Sequence, residues 1–166
     1  MDSQAWGRPA RPVRTRNLRL GLLSGGLGVA LALAPTIFAV GATVTRGDIA
    51  PFASGAGLSI SGRAEMIRTP EGTTIVSVHV EGLAPNTAYG SHVHQLPCGI
   101  SDADGHYRND PAGPAAPPNE IWPGFTTNDA GIGNGNAKVD WIAGASAQSV
   151  VVHAPGGAKI ACADLR

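Results

Sequence analysis

The sequence is short of charge: only 14% of its 166 residues are Asp, Glu, Lys or Arg, against 23 glycines and 13 prolines. That balance argues against a helical domain and suits a loop-rich all-β one. A basic stripe is absent. Positive charge concentrates only near the start, where Arg8, Arg11, Arg14, Arg16 and Arg19 stand against Asp2 alone. Residues 46–166 hold 7 basic and 11 acidic side chains, a net of −4, which makes nucleic acid a poor partner. The leader has no adjacent arginine pair to mark a twin-arginine signal and no cysteine for a lipid. Cysteine is confined to Cys98 and Cys162, and histidine to five positions.

What is present begins with a run from Leu20 to Thr45 that contains no charged side chain across 26 residues. That is longer than the roughly 20 residues needed to cross a bilayer, and its basic flank predicts a cytoplasmic N-terminus. Either Leu20–Ala34 is the core of a signal peptide cut near Ala34 to Ala42, or the whole run is an uncleaved hydrophobic helix anchoring the chain to a membrane. Both readings put the remainder outside the cytoplasm. The expected organisation is a basic and hydrophobic leader over 1–45, a Pro-, Gly- and Ser-containing linker over 46–57, and one domain over 58–166.

Within that domain the pattern is one of short strands. Leu58–Ile67 alternates in part, and Thr73–Glu81 sets Val76, Val78 and Val80 on one face with Ser77, His79 and Glu81 on the other. The stretch 68–72 is the turn between them. Residues 88–94, Asn119–Phe125, Ala137–Ile142, Ser149–His153 and Lys159–Ala163 are further strand candidates, with a Gly/Asn-rich turn over 128–136. Four prolines stiffen residues 111–118 into a surface loop. Trp122, Phe125 and Trp141 are read as packing residues. Asp102 and Asp104 precede a glycine, yet the third acidic position and terminal Glu of a calcium loop are missing, so Ile100–Gly105 is read as a solvated turn.

The chemistry concentrates in Gly90-Ser91-His92-Val93-His94. Side chains two apart on a strand share a face, so His92 and His94 present a chelating pair suited to copper, zinc, iron or nickel. His106 follows a short Gly- and Asp-rich loop, and His153 ends the apolar run Ser149–Val152. His79 falls on a polar face and is read as a surface residue. Taken with Gly105-His106-Tyr107, Val151-Val152-His153 and Lys159-Ile160-Ala161-Cys162, this order of segments resembles the metal-site segments of the Cu/Zn superoxide dismutase family, over roughly residues 55–166.

The resemblance implies an antiparallel Greek-key β-barrel. It also implies one copper per chain on His92, His94, His106 and His153, with His106 at the position that bridges to zinc in the family. The zinc set itself has no match, because only His79 is left and residues 107–127 offer Asp110 and Glu120 without a histidine. Only five residues separate His153 from Lys159, where the family carries a long charged loop over its active-site channel. Both departures resemble the copper-only branch, in which zinc is not expected. Something else must then hold the outer nitrogen of His106; Glu120 is the first candidate and Asp110 the next. Lys159 stands at the family's arginine position, keeping a positive charge for superoxide but losing the two-donor fork. The implied catalytic residues are therefore His106, as proton carrier, and Lys159. The export reading together with the resemblance implies a Cys98–Cys162 disulfide. The implied activity is disproportionation of superoxide to dioxygen and hydrogen peroxide. An alternative on the same fold is a copper-binding or storage protein with little turnover, favoured by Lys159 and the missing channel loop. A structural domain with relic histidines is a third, disfavoured because all four copper positions are retained.

Overall fold

The computed structural model describes residues 41–166. The basic segment and the hydrophobic run as far as residue 40 lie outside the described residues. Among those described, no helix is long and apolar enough to cross a membrane.

Eight strands form the domain: β1 (Thr43–Pro51), β2 (Ser61–Arg68), β3 (Thr74–Glu81), β4 (Ala88–His94), β5 (Phe125–Thr126), β6 (Gly133–Val139), β7 (Ser149–His153) and β8 (Lys159–Asp164). All pairings are antiparallel, in the order β5-β4-β7-β8-β1-β2-β3-β6. The first three strands make a meander; the chain then crosses from β3 to β4 and back from β6 to β7, which is Greek-key connectivity. The two ends of this order, β5 and β6, come together through Phe125, whose ring fills the space a Cβ on Gly133 would need, 2.2 Å away. The result is a nearly closed barrel.

The interior follows from period-two alternation. On β3, Val76, Val78 and Val80 are buried while His79 and Glu81 are exposed, as the sequence pattern predicts. Met66, Val93, Ile121, Val150 and Val152 complete the centre of the core. Each such side chain stabilises the fold by roughly 1.5–3 kcal/mol on burial. The run Ser149–His153 is buried on both faces, and a strand covered twice has no reason to alternate. Val150 and Val152 face the barrel interior. Val151, on the outer face, packs instead with Ala103, Cys162, Cys98 and Phe52.

Three boundaries differ from the sequence reading. Residues 43–51, divided between leader and linker in that reading, form β1, which pairs with β2 from Thr43↔Arg68 to Ile49↔Gly62 and with β8 at Ala50↔Cys162. Only Ile49 of this strand is buried, so the backbone ladder holds it and no apolar alternation announces it. Strand β6 begins at Gly133, inside the expected turn, and ends at Val139. Its glycines are there for clearance: a Cβ on Gly135 would sit 2.0 Å from the Pro123 carbonyl oxygen. Asn119 and Glu120 close a turn on the Ala116 carbonyl, and residues 121–124 carry no continuous ladder, since Pro123 has no N–H to give and only Phe125 and Thr126 pair with Tyr89 and Ala88.

Cys98 and Cys162 form a disulfide across a sequence separation of 64. It pins the loop after β4 to β8. Replacing both cysteines with alanine is expected to lower the unfolding free energy by about 4 kcal/mol, the loop-closure value for this length. Urea denaturation of the full-length protein measures it; a loss below about 1 kcal/mol would show that the reduced denatured chain keeps this loop closed by other contacts.

Candidate metal centre

Strands β4 and β7 lie side by side with Gly90 opposite His153, His92 opposite Val151 and His94 opposite Ser149. His92, His94 and His153 therefore project from the outer face of the barrel wall, away from Val93, Val150 and Val152. His106 arrives from the loop after β4, which folds back so that His94 and His106 form an isolated bridge. One nitrogen from each of the four histidines lies within 4.8 Å of the others. Ring centroids are 4.0 Å apart for His92 and His106 and 4.7 Å for His92 and His153. All four of the histidines expected to converge do so; His79 sits elsewhere, bonded to Asn134 and Glu81 on an exposed surface.

Three of the imidazoles are oriented from behind. His94 Nδ1 donates to the Asp104 carbonyl and His153 Nδ1 to the Gly157 carbonyl, both at 3.0 Å. A carbonyl only accepts, so in the neutral rings the Nε2 atoms carry lone pairs, and these two atoms face each other at 3.3 Å. His106 Nδ1 lies 2.7 Å from Glu120 Oε2, which leaves its Nε2 unprotonated in the neutral ring. His92 Nδ1 is buried with no hydrogen-bond partner among the described residues. Four uncommitted lone pairs crowd one small volume. Left so, they repel one another and His92 Nδ1 forfeits about 1–3 kcal/mol of desolvation. A metal cation with a preference for imidazole satisfies all four at once.

Electrostatics point the same way. Burial, with the neighbouring His106, His153 and His94 rings, lowers the pKa of His92 to about 3. Burial and His106 do the same for His94, also to about 3. His153 is lowered chiefly by burial, with His106 and Lys159 adding to the effect. These rings are held neutral, the form that binds metal.

The supporting loops are unusually shaped. Ser101, Asp102, Ala103 and Asp104 all have positive φ, from 49° to 65°, a left-handed turn made without glycine. Such residues cost roughly 1–2 kcal/mol each. The disulfide at Cys98, full burial of Ala103 and two hydrogen bonds from Lys159 Nζ to the Asp102 and Asp104 carbonyls, both 2.7 Å, offset that strain. The stretch 100–105 is the solvated turn expected at five of its six residues; Ala103 alone is buried, and the Asp104 carbonyl fixes His94. Lys159 stands beside the cluster with its ammonium already engaged by that loop.

Across the cluster, the proline-rich loop is organised by Asn119, whose Nδ2 donates to the Asp110 and Pro114 carbonyls and whose Oδ1 accepts from the Asp110 N–H. It delivers Glu120, only 2% exposed, to His106. Asp110 is exposed and its carboxylate accepts from the Ala112 N–H, so it shapes the loop. The sequence reading missed Trp122. It is 40% exposed, its ring centroid is 5.0 Å from that of His92, and its indole N–H donates to Glu120 Oε2 at 2.7 Å. Its spacing of two from Glu120, within what reads from sequence as the strand Asn119–Phe125, was the available signal. Phe125 and Trp141 do pack, Phe125 on Tyr89 and Trp141 on Tyr107.

No family model matches the chain, and no curated protein matches it. Among solved structures, it is similar to superoxide dismutase 5 of Candida albicans, solved as a glutamate-to-alanine mutant. The TM-score is 0.50 and the identity 19%, over 74% of this chain and 87% of that one. This likeness shows the fold.

The depressed histidines give the metal-free protein a defined acid response. A base whose pKa falls on folding stabilises the fold fully above its unfolded value, 6.5, and that stability is lost as pH drops toward the folded value, about 3 for His92 and His94. The melting temperature of metal-free protein is expected to fall between about pH 7 and about pH 4, less steeply in a His92→Gln variant. Identical slopes for the two proteins would mean that the ring is solvated and free to protonate in the fold.

Proposed function

We propose that the chain is an exported, copper-dependent superoxide dismutase that works without zinc. The convergence of four uncommitted imidazole nitrogens on the outer face of β4 and β7 carries this reading. His92, His94, His106 and His153 would hold one copper ion, which when bound supplies the alternating one-electron oxidation and reduction that converts two superoxide anions and two protons to dioxygen and hydrogen peroxide. The similarity in fold to a superoxide dismutase and the ordered match of the histidine segments support the choice of copper and of substrate.

The chain's own residues supply the rest. His106 takes up a proton at Nε2 and returns it, while its Nδ1–H stays on Glu120 and the buried carboxylate meets the charge of the doubly protonated ring. Glu120 occupies the nitrogen that a bridging histidine would otherwise turn to a second metal, and so stands in for zinc as the group that fixes the ring. Lys159 provides positive charge at the edge of the cluster, drawing in a small anion. The disulfide supports an extracytoplasmic location, reached by cleavage of the leader or by its retention as a membrane anchor.

A second reading, copper binding or storage with little turnover, is favoured by one observation: the Lys159 ammonium already donates to two carbonyls and is less free to bind an anion. Metal analysis of the purified full-length protein after loading with copper and zinc, with turnover assayed on the same sample, separates the readings. One copper, no zinc and rapid turnover is the expected result, with turnover abolished in His153→Ala. Copper without turnover would establish storage, and stoichiometric zinc would overturn the copper-only assignment. Lys159→Ala is expected to slow the reaction and flatten its dependence on ionic strength; an unaltered salt profile would remove Lys159 from the guiding role.

A further inference from the structure

Glu120 is held by more than its histidine. Its Oε2 receives two hydrogen bonds, from His106 Nδ1 and from Trp122 Nε1, each 2.7 Å long. The two donors differ in kind. An imidazole N–H can leave as the ring changes protonation or tautomer, whereas an indole N–H is a donor only and does not titrate at any ordinary pH. With His106 alone, the carboxylate could swing about its side-chain torsions whenever the ring moved. With Trp122 on the same oxygen, Oε2 has a fixed anchor that is independent of the state of His106.

The indole is itself well placed. Glu120 and Trp122 are two apart where the chain leaves the turn closed on Ala116, Pro123 follows directly, and the ring lies beside His92 and His106 with centroids at 5.0 and 6.4 Å. It is 40% exposed, too open to count chiefly as core packing. The geometry points to Trp122 as the positioning residue of the site: its N–H fixes Glu120 Oε2, which holds His106 as the Nδ1–H tautomer with Nε2 aimed at the other three histidines. This deepens the proposed function, since the role of His106 as proton carrier rests on that reading, while the tautomer itself is a property of the protein alone.

Three chains test it: the full-length wild type, Trp122→Phe, and a chain with 3-benzothienylalanine at position 122, which keeps the bicyclic ring and replaces the N–H with sulfur. Long-range proton–nitrogen correlation spectra of the metal-free proteins report the tautomer of His106. Wild type is expected to show His106 as Nδ1–H alone, and both substituted chains a mixture with Nε2–H. Transfer of copper(II) to a competing chelator is expected to be about tenfold faster from both, the lower end of what loss of an orienting partner costs. A pure Nδ1–H signal and unchanged copper transfer in the benzothienyl chain would overturn the assignment and leave the indole a packing role. Glu120→Ala, as a reference, removes the acceptor and should disturb the tautomer whichever way Trp122 falls. If copper-loaded wild type fails to dismute superoxide while the tautomers shift as expected, the functional reading fails and the positioning role stands. If it does dismute superoxide while the tautomer stays undisturbed in the substituted chains, the functional reading stands and the positioning role fails.

Discussion

Everything in this structure turns on gathering four imidazoles, three of them held neutral by burial, on the outside of a β-barrel. Such rings repel one another and lose solvation, so they must be gripped from behind. Two backbone carbonyls and one carboxylate do this for His94, His153 and His106, and each grip is delivered by a different loop. The tight turn after β7 brings Gly157, the left-handed turn after β4 brings Asp104, and the proline-rich loop brings Glu120. The barrel fixes where two strands run; the loops decide which nitrogen of each gripped ring looks inward.

The three loops are stabilised in unlike ways. The left-handed turn is the most strained, and it is tied covalently at Cys98, packed at Ala103 and clasped by Lys159. The proline-rich loop has no covalent tie; it folds around the amide of Asn119. The turn after β7 is the shortest and needs only two glycines at positive φ, Gly156 and Gly157. In the proposed function this division matters, because Lys159 serves both as loop clasp and as the positive charge beside the site.

Much of this was legible from the chain. His92 and His94 share a face because strands repeat every two residues, and the all-apolar run before His153 marks a strand covered on both sides. Alternation placed β3 and its outward His79. What could not be read lies where backbone geometry, and not side-chain pattern, sets the conformation. Strand β1 buries one side chain, so no period announces it. Residues 101–104 adopt a left-handed conformation that none of Ser, Asp, Ala and Asp favours as a run, and only tertiary contacts explain it. Trp122 looked like core because tryptophan usually is; its place beside His92 depends on how the proline-rich loop returns to the barrel.

Strand β6 was hidden by its glycines and asparagines, residues with poor strand propensity. The same composition bears on how readily the ends of the pairing order could recruit another chain. Strands β5 and β6 are the two ends of the pairing order, and an end strand with free backbone groups is a template for another chain. β5 is only two residues long, too short to recruit a partner. β6 is seven residues long, but it reads Gly-Asn-Gly-Asn-Ala-Lys-Val, with a lysine near its end and a single branched side chain of the kind that zips sheets together. The seam of the barrel is thus built from segments that make poor seeds for intermolecular sheets, and the composition that conceals β6 in the sequence also makes it a poor template for a second chain.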